Sequence, residues 1–98
     1  MSRFDFPTFV DIDGTLTDNP EYRLGKPLMR RIDKVRLMIR NGEPVVIWSA
    51  GGTEYAKEFC RKHALNPMAV LGKPFRVVDD HIAIFNDGVE VSPPEFLD

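Results

Sequence analysis

The sequence has little cysteine, little net charge and no long apolar run. A single thiol, Cys60, cannot form an internal disulfide, and residues 1–10 lack the basic segment, apolar core and small-residue cleavage site of a signal peptide. No apolar run approaches the roughly 20 residues that a membrane-spanning helix needs. The net charge of −2 gives no overall attraction to nucleic acid or to an anionic membrane. We therefore expect a cytoplasmic protein with no membrane partner.

The length of the chain suits one hydrophobic core. A sequence of 98 residues with 43% hydrophobic content rarely divides into two domains, so we predict one domain over residues 1–98. A chain of this size buries only about 60–65% of the surface of its unfolded form, which makes its stability modest. A homo-oligomer would bury more apolar surface, and the sequence leaves that state open.

Strand patterns and helix patterns alternate along the chain. Strands are predicted at residues 6–11, 45–48, 68–72 and 75–80, followed by a hairpin at 82–91 and an irregular tail. The intervening segments have helical periodicity. Such alternation predicts an α/β fold with three layers, in which a central and mainly parallel sheet has helices on both faces.

The two predicted helices have recognisable ends. Pro27 suits the first turn of the first helix, and Asn41-Gly42 stops it. Its apolar stripe is Leu28, Ile32, Val35 and Ile39. Thr53 is the expected N-cap of the second helix, and Asn66-Pro67 closes it. Its apolar side is Ala56, Phe59, Cys60 and Ala64.

Acidic residues lie at the ends of two of the predicted strands. Asp11 ends the first strand and Asp13 lies two residues beyond it, Asp79 and Asp80 end the fourth, and Ser49 closes the second. Ligands of open parallel sheets bind at the carboxyl ends of the strands. Carboxylates gathered there repel one another unless a cation neutralises them or some take up protons. A hard divalent cation with oxygen ligands resolves this conflict, so the sequence predicts a Mg²⁺ site.

Groups that favour an anion lie near these carboxylates. Lys73 follows the third strand, and we expect free backbone N–H groups at Gly14, Gly51 and Gly52. Carboxylates, hydroxyl, amine and cation together suit a phosphoryl group. One carboxylate can attack phosphorus to give an aspartyl-phosphate. The second, two residues on, can protonate the leaving oxygen and later deprotonate water.

The stretch Asp11-Ile12-Asp13-Gly14-Thr15-Leu16-Thr17 resembles the first signature of the haloacid dehalogenase (HAD) superfamily of phosphohydrolases. Three further signatures follow in order along the chain. Ser49 closing "VVIWS" resembles the second, Lys73 in "GKP" the third, and Asp79-Asp80 in "RVVDDH" the fourth. The resemblance runs from Phe6 to Asp80, which is most of the chain.

The resemblance implies a catalytic role for each matching residue. Asp11 is implied as the nucleophile and Asp13 as the general acid/base. Ser49 is implied to hydrogen-bond a phosphoryl oxygen, and Lys73 to neutralise charge on the nucleophile and the phosphate. The implied phosphate-binding residues are Gly14, Ser49, Ala50 and Lys73.

The resemblance also implies a set of Mg²⁺ ligands. These are the carboxylate of Asp11, the main-chain carbonyl of Asp13 and the carboxylate of Asp79. Adjacent residues on a strand face opposite ways, so Asp80 is expected to bind through water or to orient the site.

Superfamily members that enclose small substrates carry a cap domain after the first signature or between the second and third. Here residues 14–27 allow only a flap, and one helix with one strand lies between Ser49 and Lys73. The resemblance therefore implies a capless member with an open site. Such a site favours a large phosphorylated substrate, such as a nucleic-acid end, a phosphoprotein or a saccharide conjugate.

The first motif has other interpretations. In the simplest, Asp and Gly serve only the geometry of a turn. An EF-hand loop needs Gly at its sixth position and Glu at its twelfth, and counting from Asp11 these are Leu16 and Tyr22. A phosphoacceptor receiver domain needs an aspartate in mid-chain, yet no Asp lies between Asp33 and Asp79. A phosphate- or metal-binding regulatory protein with the HAD fold and little turnover stays open.

Overall fold

The computed structural model describes residues 5–80 and 89–98. Its elements are β1 (Thr8–Asp11), α1 (Met29–Arg40), β2 (Val45–Ser49), α2 (Thr53–Lys62), β3 (Ala69–Gly72) and a 3₁₀ turn (Pro94–Leu97). The strands form one parallel sheet in the order β1-β2-β3. The predicted α/β fold with a parallel sheet is thus confirmed. Within the described ranges, no helix is long and apolar enough to cross a membrane.

Both helices pack on the same face of the sheet. Val10, Ile47 and Val70 are register partners on that face. They belong to or pack against a core cluster that also holds buried side chains of α1 and α2. Chain order explains this arrangement, because two right-handed crossovers that advance in the same direction place both helices on one side. The described residues therefore form two layers, and a helical layer on the other face stays a prediction.

The apolar stripe of α1 faces the core much as its spacing predicts. The buried residues of the helix are Ile32, Val35 and Met38. The helix begins at Met29, so the placement of Pro27 in its first turn is wrong. Pro27 instead pairs with Thr17 in an isolated antiparallel bridge. That bridge closes the loop between β1 and α1.

The predicted N-cap of α2 is also wrong. Gly52 is the N-cap, and Thr53 is the first helical residue. The Thr53 hydroxyl oxygen instead accepts a hydrogen bond of 2.9 Å from the Gly72 N–H. Thr53 therefore ties the start of α2 to the end of β3, a contact between residues distant in sequence.

The two helices end in equivalent turns. After α1, the Glu43 N–H donates to the Met38 carbonyl, and Gly42 has a φ of 85°. After α2, the Leu65 N–H donates to the Cys60 carbonyl, and Ala64 has a φ of 52°. Both are Schellman turns, in which one residue takes the left-handed conformation. The expectation that Ala64 lies on the apolar side of α2 is wrong, since Ala64 lies beyond the helix and is exposed.

The predicted fourth strand is wrong. Residues 75–80 form no strand, and Phe75 and Val78 are 94% and 91% exposed. An apolar run becomes a strand only where a sheet edge and a core receive it, and residues 75–80 pair with none of the described strands. Most of the predicted hairpin, residues 82–88, lies outside the described residues. Residues 89–91 carry no strand.

The C-terminal tail is not irregular as predicted. Leu97 is 5% exposed and belongs to the core cluster. Arg31 of α1 donates to both carboxylate oxygens of Asp98, at 2.6 and 3.0 Å, and to the Thr15 carbonyl at 3.1 Å. The hydrogen bonds from Arg31 hold the pKa of Asp98 below its usual range. One arginine thus joins the tail, α1 and the loop after β1.

Candidate active site

A cavity of about 450 Å³ opens where β1 and β2 end. Its lining residues are Asp11, Asp13, Pro20, Tyr22, Ala50, Gly51 and Lys73. The structure therefore brings both acidic residues of the first motif together with Ala50 and Lys73. Asp11 is the last residue of β1, and the other three lie within two residues of a strand end, which agrees with the placement of ligands at the carboxyl edge of parallel sheets.

Lys73 reaches Asp11 across the end of β2. The main-chain N–H of Lys73 donates to the Ser49 carbonyl at 2.8 Å, so the chain stays paired with β2 for one residue beyond the end of β3. The Lys73 Nζ lies 3.4 Å from Asp11 Oδ1 and 5.6 Å from the centre of the Trp48 ring. The Thr15 hydroxyl donates to the other Asp11 oxygen at 3.3 Å. Asp11 and Lys73 remain partly exposed, so an incoming ligand can contact both.

Asp13 is held by a residue that the sequence did not single out. The Tyr55 hydroxyl donates to Asp13 Oδ1 at 2.7 Å, and Tyr55 is only 8% exposed. Burial, and then this hydrogen bond to a carboxylate, raise the pKa of Tyr55, so its phenol stays protonated. Nothing in the spacing of the motifs points to Tyr55. The contact arises because the long side chain of Tyr55 reaches from the first turn of α2 to the loop that follows β1.

Tyr55 belongs to a cluster that we call the aromatic clamp: Tyr22, Arg23, Tyr55 and Glu58. The two tyrosine rings meet edge to face, with centroids 4.8 Å apart. The Arg23 guanidinium lies 5.0 Å from the centre of the Tyr22 ring and 4.8 Å from that of Tyr55. It also donates to both oxygens of Glu58 at 3.1 Å, which lowers the pKa of Glu58. The aromatic clamp therefore fixes the loop between β1 and α1 to α2.

The clamp requires a glycine beneath it. A Cβ at Gly51 would lie 2.7 Å from the Tyr22 ring and 2.9 Å from the Tyr55 ring, closer than such atoms approach. Gly51 thus makes room for both rings, of which Tyr22 lines the cavity.

The backbone N–H groups of the glycine turns donate hydrogen bonds within their own turns, whereas we expected them to face an anion. The Gly14 N–H donates to Thr17 Oγ1 at 3.1 Å, and the Gly52 N–H donates to the Ser49 carbonyl at 3.2 Å. The Gly51 N–H donates to Ser49 Oγ at 2.9 Å. Tight turns satisfy their own donors in this way. Ser49 is 1% exposed and does not line the cavity. Its hydroxyl accepts from Gly51 and still has a proton to donate, so a hydrogen bond from Ser49 to a phosphoryl oxygen stays a prediction.

The second acidic pair lies apart from the first. Asp79 and Asp80 are exposed, and among residues 5–80 and 89–98 no three His, Cys, Asp or Glu residues form a group that could hold a metal. The structure therefore does not gather this pair with Asp11 and Asp13. The physical reason is that the strand expected to carry the pair to the sheet edge has not formed. The metal-binding roles of Asp79 and Asp80 stay predictions.

The donors in the cavity still fit magnesium. Asp11 and Asp13 both line it, and the Asp11 carboxylate and the Asp13 main-chain carbonyl offer hard oxygen atoms. Mg²⁺ commonly binds through one or two carboxylates and completes its shell with water and with phosphate oxygens of a substrate. The described residues therefore suit a metal bound together with a phosphorylated ligand.

Comparisons with known proteins support the fold and identify no family. No protein-family model and no curated protein matches this chain. The crystal structure of a target protein from Vibrio cholerae is similar to it, with 26% sequence identity and a TM-score of 0.59. The match covers 93% of this chain and 86% of that one. This likeness supports the small α/β fold described above.

Proposed function

We propose that the protein is a Mg²⁺-dependent phosphomonoester hydrolase of the capless HAD type, which acts through an aspartyl-phosphate on Asp11. One observation carries the proposal. Asp11, Asp13 and Lys73 line one cavity, and Lys73 Nζ lies 3.4 Å from Asp11 Oδ1. A nucleophilic carboxylate, a second carboxylate two residues on and an ammonium group together supply the chemistry of phosphoryl transfer.

The first step transfers the phosphoryl group to the protein. A carboxylate oxygen of Asp11 attacks phosphorus, and the bond between phosphorus and the leaving oxygen breaks. The electron pair stays on that oxygen, which takes a proton from the Asp13 carboxyl group and departs as an alcohol. The Lys73 ammonium balances the negative charge on the phosphoryl oxygens during transfer.

The second step releases phosphate. Water attacks the phosphorus of the aspartyl-phosphate and gives its proton to the Asp13 carboxylate. The bond between phosphorus and Asp11 breaks, which restores the Asp11 carboxylate and frees inorganic phosphate. The Asp11 carboxylate and the Asp13 main-chain carbonyl would hold Mg²⁺, which would supply further positive charge beside the phosphoryl oxygens.

The described residues favour a large substrate. Between β1 and α1 the chain forms only the loop that the aromatic clamp fixes to α2, and between Ser49 and Lys73 it forms only α2 and β3. Neither segment is a cap domain. A phosphorylated macromolecule, including a nucleic-acid end, can itself exclude water from such a site.

A second candidate is a phosphate- and metal-binding protein with little turnover. The amides at Gly14, Gly51 and Gly52 are already bonded within their own turns, and Asp79 is not gathered with the first acidic pair. A site with fewer groups directed at the phosphoryl oxygens stabilises the transition state less.

Phosphate release from an aryl phosphate in the presence of Mg²⁺ separates the two candidates. We expect turnover by the wild type and its loss in Asp11→Asn, which has no nucleophile. Asp13→Asn should slow turnover of the aryl phosphate by about 10²–10⁴-fold, the usual contribution of general acid/base catalysis, because release of phosphate in the second step loses its base. Asp33→Asn on the exposed side of α1 is the matched control and should keep full activity.

Binding measurements complete the test. Asp13→Asn should bind Mg²⁺ about as well as the wild type, because the proposed ligand is its main-chain carbonyl. A wild type that binds Mg²⁺ and phosphate but hydrolyses no phosphomonoester would establish the binding protein instead.

A further inference from the structure

We infer that Tyr55 is a positioning residue for Asp13. Its hydroxyl binds one carboxylate oxygen of Asp13 and so keeps the other oxygen directed to the leaving group. This inference rests on the proposed function, in which Asp13 is the general acid.

The contact has the features of a fixed support. The Tyr55 hydroxyl lies 2.7 Å from Asp13 Oδ1, and Tyr55 is 8% exposed, so water competes little for the bond. The Tyr55 ring also meets the Tyr22 ring in an edge-to-face pair, and its centre lies 4.8 Å from the Arg23 guanidinium. Arg23 is in turn bonded to both oxygens of Glu58. The aromatic clamp therefore leaves the phenol little freedom to move.

The bond makes the two oxygens of Asp13 different. Oδ1 accepts from Tyr55, so Oδ2 is the oxygen left to carry the proton to the leaving group. Without the phenol, the carboxyl group can rotate and spends less time in the productive orientation. Tyr55 keeps its own proton throughout, and the proton that the leaving oxygen receives comes from Asp13.

Leaving-group chemistry distinguishes this role from a merely structural one. An alkyl phosphate needs protonation of its leaving oxygen, whereas an aryl phosphate with an acidic phenol departs with little help. Loss of Tyr55 support should therefore slow the alkyl substrate selectively. A general loss of folded protein would slow both substrates equally.

The test is Tyr55→Phe, which keeps the ring and removes only the hydroxyl. We expect kcat/KM for an alkyl phosphate to fall about tenfold, the effect of losing one hydrogen bond to a charged group, and for p-nitrophenyl phosphate to fall less than about twofold. In the Asp13→Asn background, Tyr55→Phe should cause no further loss, because the two residues act as one unit. Cys60→Ala, on the same helix and buried, is the control for lost stability and should change both substrates equally.

The outcomes are distinguishable. An active wild type with equal losses on both substrates in Tyr55→Phe, or with no loss, would overturn the inference and leave the proposed function intact. A further tenfold loss in the Asp13→Asn background would also overturn it. A wild type that hydrolyses neither substrate would overturn both.

Discussion

Replacing Ala64 with glycine should stabilise the protein by about 0.5–1 kcal/mol. Ala64 has a φ of 52°, a conformation that costs a residue with a Cβ about 1–2 kcal/mol. Glycine removes that cost but brings about 0.5–1 kcal/mol of extra conformational entropy in the unfolded chain. Ala64 is exposed, so its methyl group contributes little packing that the change would remove.

The turn after α1 provides the reciprocal experiment. Gly42 occupies the same position with a φ of 85°, and a Cβ built there meets nothing within 4 Å. Gly42→Ala therefore introduces the backbone cost without a clash, and we expect it to destabilise the protein by about 1 kcal/mol. The two substitutions should shift stability in opposite directions.

Urea titration and thermal melting measure both variants. For a domain of this size, 1 kcal/mol corresponds to a shift in Tm of about 4–8 °C. The dependence of the unfolding free energy on urea should keep its slope, since neither change alters the surface exposed on unfolding. If Ala64→Gly were neutral or destabilising while Gly42→Ala destabilised, the left-handed turn after α2 would be refuted.

Three further predictions concern the core, the thiol and the cavity. Leu97→Ala should lower the free energy of unfolding in urea by about 2–4 kcal/mol, and Phe96→Ala, at an exposed neighbour, by much less. Burial raises the pKa of Cys60 to about 11, so native protein at pH 8 should react slowly with a thiol reagent and quickly in urea. Stability should also fall as the pH rises from 9 to 11, and by less in Cys60→Ala. Lys73→Met should weaken inhibition by phosphate without lowering Tm, because this side chain is partly exposed. Fast labelling of Cys60 in the native protein would contradict the prediction on the thiol. Unchanged inhibition of Lys73→Met by phosphate would contradict the prediction on the cavity.

Local sequence patterns were sufficient to predict most of the architecture. The stripe of α1, the run at the end of β2 and the turn at Gly42 each depend on neighbouring residues, so periodicity and turn chemistry predict them. The parallel sheet follows from the alternation of strands and helices. The meeting of Asp11, Asp13 and Lys73 in one cavity follows in turn, because parallel strands end at a common edge.

Contacts between distant segments required the folded structure. The run at 75–80 has the sequence pattern of a strand, yet it pairs with none of the described strands. The tail reads as irregular, yet Arg31 and the core hold it in place. Tyr55 belongs to no motif, and its bond to Asp13 exists because its side chain reaches from the first turn of α2 to the loop after β1. Spacing along the chain reports which residues share an element, whereas the approach of two elements depends on how their faces pack, and that packing sets the detail of the candidate site.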